Sequence, residues 1–388
     1  MGTLPPLSLY VHLPWCVRKC PYCDFNSYER SGQVPERSYV DALLRDLSFE
    51  ARFAAGRALE SIFVGGGTPS LFSPAAIARL LEGIADRLRL ASGIEVTLEA
   101  NPGAIEAARF GEFRSAGINR LSIGVQSFRD EQLAVLGRIH DGNDARRAAE
   151  AASSAGFESV NLDLMYGLPN DTPAGALADL EAAIALEPAH LSWYQLTLEP
   201  STAFYRRPPP LPDDTTIAAI EAEGRALLDR SGLRRYEISA YARAGHRCRH
   251  NLNYWRFGDY LGVGAGAHGK LTDADGTIVR RAKQRNPRTY AAHAGTPSAF
   301  TEERIAAPRQ LVLEFMMNAL RLPDGVDVAT YEARTGQGLG LIEKPLEAAV
   351  ARGWLSLHDG TLEPTATGLE MLNAMLGLFV DFGETPQV

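Results

Sequence analysis

Residues 8–25 read SLYVHLPWCVRKCPYCDF, and their order decides the fold. Ser8–His12 is a short, β-branched-containing run of strand type. It leads directly into a loop with the spacing Cys16-x3-Cys20-x2-Cys23. The chain has four cysteines, and the other one is Cys248, so three of the four fall within eight residues. A secreted chain of 388 residues held by disulfides would spread its cysteines out. Clustered thiols point to a metal instead.

Three thiolates on one tight loop can each take one iron of a [4Fe–4S] cube, which leaves the fourth iron open. An open iron chelates a small molecule through an amine and a carboxylate. The amino-acid end of S-adenosylmethionine meets that requirement. Zinc is the competing reading, because thiolates also suit zinc and His12 or Cys248 can supply a fourth ligand.

Outward from this stretch, strand-like runs recur at Ser61–Gly65, Ile94–Glu99, Arg120–Val125, Ser159–Leu164 and His190–Leu198. Helix-like stretches lie between them at Glu36–Arg52, Pro74–Arg89, Ile105–Ala116, Asp144–Ser154 and Ala174–Leu186. Alternating βα units predict a parallel sheet. Each run ends in chemically loaded residues: the cysteine loop, Gly65–Pro69, Glu99–Pro102, Gln126–Phe128, Asp163 with Gly167–Pro169, and Tyr194 with Gln195. Sites gather at the carboxyl ends of strands in (β/α) barrels. The expected fold is therefore α/β, an incomplete (β/α)6 TIM-like barrel over residues 1–212. Pro208–Pro212 marks a break. Residues 213–302 are expected to extend the barrel with a helix at Asp214–Ser231 and a small sheet. Residues 303–388 turn helical (Ala306–Leu320, Val328–Thr335, Ile342–Arg352, Thr367–Phe379). With a hairpin turning at Asp359-Gly360, they predict a winged-helix-like domain.

The CxxxCxxC spacing, with Tyr22 before the last cysteine, resembles the signature of radical S-adenosylmethionine enzymes, and Gly65–Pro69 resembles that superfamily's glycine-rich segment. The match is finer still. Tyr10–Cys16, Gly124–Phe128 and Asp163–Pro169 resemble the oxygen-independent coproporphyrinogen III oxidase family, and the likeness covers most of residues 7–370. It implies that Tyr10, Gly66, Gly67, Thr68, Glu99, Gln126, Arg138 and Asp163 surround S-adenosylmethionine, with Tyr22 beside them. Carboxylates can accept from ribose hydroxyls or the amino group, and arginine can pair a carboxylate.

The chain also departs from the oxidase. The oxidase pattern carries a further cysteine two residues after the triad, and Phe25 stands there. The departure fits the HemW haem-chaperone subgroup of that family. His250-Asn251-Leu252-Asn253-Tyr254-Trp255 resembles the subgroup's HNxxYW haem-binding motif. An imidazole can ligate haem iron, and Tyr254 and Trp255 offer flat apolar area to a porphyrin.

Two functions follow from the resemblance. One is a haem chaperone that binds haem and passes it to apo-proteins, with membrane-associated respiratory proteins among its clients. The other is an oxidoreductase, with a reducing electron donor, that decarboxylates coproporphyrinogen III through a 5′-deoxyadenosyl radical. The residues leave open whether the barrel is catalytic. A net charge of −8 and a mixed-sign carboxyl-terminal segment argue against a nucleic-acid partner. Residues 1–15 lack a basic leader, and no run of about 18 apolar residues occurs, so a cytoplasmic protein is expected.

Overall fold

Each of the six expected runs forms a strand; the first five are longer than sequence periodicity alone marks, while the sixth stops at Gln195, three residues short of the expected Leu198. The computed structural model describes residues 4–380. Its first strands are β1 (Leu7–Leu13), β2 (Leu59–Gly66), β3 (Leu90–Ala100), β4 (Arg120–Gln126), β5 (Ser159–Tyr166) and β6 (His190–Gln195). Further along come β7 (Arg234–Glu237), β8 (Ala240–Ala242), β9 (Asp259–Val263), β10 (His268–Thr272), β11 (Ile278–Lys283) and β12 (Phe300–Ile305).

All twelve join one sheet in the order β12-β11-β10-β9-β1-β2-β3-β4-β5-β6-β8-β7. From β9 through β1 to β6 the pairing is parallel. Beyond β9 and β6 it is antiparallel. β6 and β9 do not pair, so the barrel stays open among the described residues. The seventh parallel strand, β9, lies in the segment expected only to extend the barrel. Its run, DYLGV, is buried throughout, so it shows no amphipathic alternation to announce a strand.

The outer face of β1 buries Leu7, Leu9, Val11 and Leu13 completely. Helix Glu36–Glu50 covers that face with Tyr39, Val40, Leu43 and Leu47. Each such apolar side chain removed from water contributes roughly 1.5–3 kcal/mol. The alternate residues Ser8, Tyr10 and His12 point inward, and this period of two sends polar groups into the barrel.

Several helices differ from the sequence pattern: Pro74–Arg89 ends at Ala85, Thr367–Phe379 is split into Ala366–Glu370 and Leu372–Val380, and two more differ for local reasons that the structure shows. Helix Gly142–Ser154 starts two residues early because Asp141 forms a capping box with Asp144. The single helix expected over Ile105–Ala116 is two, Ala104–Ala108 and Phe110–Ser115. They meet at Arg109, whose guanidinium donates to the Phe72 carbonyl at 2.7 Å.

A second core gathers Leu311, Val312, Phe315, Tyr331, Leu346, Leu355 and Leu362 from the carboxyl-terminal helices and hairpin. Helices Pro308–Ala319, Val328–Thr335 and Glu343–Ala351 precede a hairpin of Leu355–His358 and Thr361–Pro364. Phe257, just before β9, belongs to this core, so the module packs against the base of the sheet extension. No helix among the described residues is long and apolar enough to cross a membrane.

Candidate functional site

The parallel strands deliver their loaded ends to one cavity of about 470 Å³. Cys16, Cys20, Tyr22 and Cys23 line it from the loop after β1, and Gly66, Gly67 and Thr68 from the end of β2. Glu99, Gln126, Arg138 and Asp163 complete the wall. Tyr10 instead faces a neighbouring cavity; of the residues that the resemblance groups around S-adenosylmethionine, it alone is not on this wall.

Glycine is required at two points. Gly66 has φ +119°, and a Cβ there would sit 2.7 Å from the His12 ring. A Cβ on Gly67 would meet the Trp15 carbonyl oxygen at 2.5 Å. The cysteine loop and the glycine segment therefore touch through backbone, with Thr68 N–H donating to the Trp15 carbonyl at 2.7 Å. Gln126 adopts φ +70°, a costly conformation for a side-chain-bearing residue. It sits at a register shift ending the pairing of β4 with β5, and the Tyr194 hydroxyl donates to its Oε1 at 2.8 Å.

Among the described residues, three ionisable groups of this cavity, Arg138, Glu99 and Asp163, have no salt-bridge partner. Arg138 donates to Asn101 Oδ1 and the Gly124 carbonyl, both at 2.7 Å, and contacts Cys20 Sγ at 3.6 Å. Its buried Nε has no hydrogen-bond partner among the described residues. Glu99 accepts only the Gly66 N–H, at 2.9 Å. Asp163 is held by Ser122 at 3.0 Å and Asn161 at 2.8 Å. Burial, with Asp163 adding to it, pushes Glu99 up to about 8, and burial raises Asp163 as well. The Cys16 and Cys23 thiols are raised by burial too. Two carboxyls and one guanidinium without counter-ions suit a ligand carrying both positive and negative charge. Among the described residues no three His, Cys, Asp or Glu side chains converge on a point that holds a single ion. A tetrahedral zinc needs such convergence, whereas a cube takes its thiolates one per iron. Cys248 and His12 are engaged elsewhere, Cys248 donating to Glu95 and His12 bonding Tyr10 and Asn26.

The second cavity, about 460 Å³, adjoins the first and is largely aromatic. Tyr10, Phe63, Tyr254, Trp255 and Tyr260 line it with His12, His250 and His268. Phe25, Gly66, Glu99, Asn251 and Trp255 border both cavities. Phe25 is 57% exposed between them, at the position where the oxidase pattern has cysteine. His250, at the start of helix Arg249–Trp255, is 8% exposed, and its Nδ1 shares a hydrogen bond with Ser61 Oγ at 3.0 Å. Burial, helped by Arg120, lowers it to about 3, so the ring is neutral. His250, Tyr254 and Trp255 are thus together on one wall, yet His250 is largely covered.

Sequence reasoning missed Asn101, which links Thr68 to Arg138. It also missed Phe63, Tyr260 and His268. The strand period was available for Phe63, two positions before the already suspected Gly65. Nothing local marks His268, which arrives from an antiparallel strand.

The residue pattern and this geometry have counterparts in known proteins. Residues 10–183 match the model of the radical SAM superfamily, and residues 306–370 match that of the HemN C-terminal domain. The chain is 50% identical to the heme chaperone HemW of Escherichia coli (strain K12) over 380 residues, 98% of this chain and 100% of that protein. It is 47% identical to the heme chaperone HemW of Haemophilus influenzae, over 98% of this chain and 99% of the relative. The solved coproporphyrinogen III oxidase (HemN) of Escherichia coli superposes with a TM-score of 0.82 at 25% identity, covering 97% of this chain and 90% of that one. The fold is common to oxidase and chaperone, whereas full-length identity near one half is found with HemW. This chain therefore belongs to the HemW family of the radical SAM superfamily.

Proposed function

We propose that this chain is a cytoplasmic haem chaperone, which binds haem in the aromatic cavity and passes it to apo-proteins. On this reading Cys16, Cys20 and Cys23 hold a [4Fe–4S] cluster. Tyr22, Gly66, Gly67, Thr68, Glu99, Gln126, Arg138 and Asp163 hold S-adenosylmethionine beside it. The unpaired Arg138 complements the ligand's carboxylate, and Glu99 with Asp163 complements its ammonium and sulfonium charge. When bound, the cluster supplies an electron-transfer centre with one iron open to the amino acid. Tyr10 lies on the haem side of the pair.

The observation that carries the haem reading is the second cavity itself. A wall of Tyr10, Phe63, Tyr254 and Tyr260 is more aromatic surface than S-adenosylmethionine requires, and such rings offer flat apolar area to a macrocycle. The barrel interior next to it is polar, so the two ligands sort by chemistry. The test is anaerobic titration of haem into the cluster-reconstituted chain, followed by transfer to an apo-protein. Stoichiometric binding and transfer support the reading, and absence of binding removes it.

The second reading, coproporphyrinogen III oxidation with a reducing donor, is favoured by the likeness to the oxidase structure. Phe25 argues against it, because a thiol stands there in the oxidase pattern. Incubation with reductant, S-adenosylmethionine and coproporphyrinogen III distinguishes the two: robust protoporphyrinogen formation establishes the oxidase.

A further inference from the structure

The aromatic cavity continues into a smaller one of about 250 Å³. Tyr254, Tyr260 and His268 line both. On the near side stand rings: Tyr254 and Tyr260 lie 4.7 Å apart, with their hydroxyls 3.0 Å from each other. On the far side Arg280, Arg281 and Arg304 face Glu302 and Glu314. Arg280 donates to Glu314 and to the Tyr260 hydroxyl. Arg304 pairs with Glu302 and Glu314, and among the described residues its buried Nη1 has no partner. One apolar compartment thus opens onto one with an unsatisfied guanidinium donor. Iron protoporphyrin has the same division, an apolar macrocycle with two carboxylates on one edge.

Three imidazoles line the aromatic cavity, and their nitrogens differ in availability. His12 uses both, one with the Tyr10 hydroxyl and one with the Asn26 carbonyl, each at 2.9 Å. His250 has Nδ1 tied to Ser61, and the Phe63 ring stands 5.1 Å from its own. His268 is exposed, and neither of its nitrogens takes part in a hydrogen bond among the described residues. It stands at the border between the apolar and charged compartments and lines both.

Resting on the haem reading above, we propose that His268 is an axial ligand of the bound haem iron and that the haem propionates point to Arg304 and Arg280. His250 then serves as a wall of the cavity. Burial, opposed by Glu302 and aided by Arg280 and Arg285, keeps the His268 imidazole below its ordinary pKa and hence neutral for ligation.

The test is titration of ferric haem into the full cluster-reconstituted chain, read by electron paramagnetic resonance and resonance Raman. The wild type is expected to show an imidazole-ligated iron. His268→Ala loses that signature, with affinity falling on the order of tenfold or more, and free imidazole restores the signature. Metal-free protoporphyrin binds both chains alike. Arg304→Gln weakens binding of haem but not of haem dimethyl ester, which has no free propionate. His250→Ala retains an imidazole signature. A His268→Ala spectrum identical to wild type overturns the ligand assignment while leaving haem binding intact. An equal loss of both haems in Arg304→Gln overturns the propionate assignment. A wild type that binds no haem removes the haem reading and this inference with it.

Discussion

Glu99 Oε2 accepts the Gly66 N–H at 2.9 Å, which ties the end of β3 to the end of β2 at the mouth of the cavity. Burial and then Asp163 raise this carboxyl to about 8. A carboxyl raised above its unfolded value of about 4.3 contributes stability below that value and loses it as pH climbs through the folded one. Without S-adenosylmethionine, Glu99→Gln is expected to gain on the wild type between about pH 4.5 and 8, by roughly 2–4 kcal/mol, and then level off. The same variant binds S-adenosylmethionine more weakly, having lost a negative partner for its cationic end. Urea unfolding at stepped pH checks the first point, and parallel profiles for the two chains refute it.

Cys16, Cys20 and Cys23 share one cavity wall, while Cys248 is buried beside Glu95 in a separate apolar cluster. Alanine at any of the first three positions is expected to leave the anaerobically reconstituted chain well short of its iron and sulfide complement. Cys248→Ala keeps the full complement and loses only about 1 kcal/mol of stability. Iron and sulfide assays decide this. A zinc-loaded, colourless wild type from the same preparation would sink the cluster assignment.

How much of this was legible in the sequence varies with the element. β1 to β6 were visible because they are short apolar runs, most of them followed by helix-forming residues, and their ends were visible because glycine, carboxylate and amide residues cluster there. Most of the first cavity's wall follows from those ends, although Glu237, Ser239, Asn251 and Trp255 join it from later in the chain. The second does not, since its walls come from β1, β2, helix Arg249–Trp255, β9 and β10, whose residues lie far apart along the chain. His268 illustrates the difficulty. It stands in a glycine-rich stretch with no periodic pattern, and only the pairing of β10 with β9 and β11 brings it to the cavity. Asn101 falls inside the loaded end Glu99–Pro102, but nothing local gives it a role, which comes from joining Thr68 to Arg138.

His250 provides a second pH test. Burial, with Arg120 adding to it, lowers this base to about 3, against about 6.5 in an unfolded chain. Below pH 6.5 the unfolded chain takes up the proton first, so His250 lowers stability by about 1.4 kcal/mol for each further unit down to its folded value. The wild type is expected to lose roughly 2 kcal/mol relative to His250→Gln between pH 6.5 and 5. Denaturant unfolding of the two chains at pH 7.5, 6 and 5 measures it. A constant difference across that range shows that the ring takes up its proton without cost in the folded chain.

Arg321 joins the carboxyl-terminal module to the wall of the first cavity, which Glu237 and Trp255 line. Its Nη2 lies 2.9 Å from Glu237 Oε2, and its guanidinium stands 4.3 Å over the Trp255 ring. Glu237 is 2% exposed, and its other oxygen accepts from the Ser239 amide and hydroxyl. Arg321→Met keeps most of the side-chain volume but leaves a buried carboxylate without its cation, which costs about 3 kcal/mol. Adding Glu237→Gln removes the stranded charge and is expected to recover most of that loss, although the cation over Trp255 is still missing. The two effects separate by readout: unfolding free energy follows Glu237, while Trp255 fluorescence follows Arg321 in both variants. If the double variant is no more stable than the single one, the ion pair is not what holds the module in place, and the packing of Phe257 against Phe315, 5.5 Å apart, must carry that contact instead.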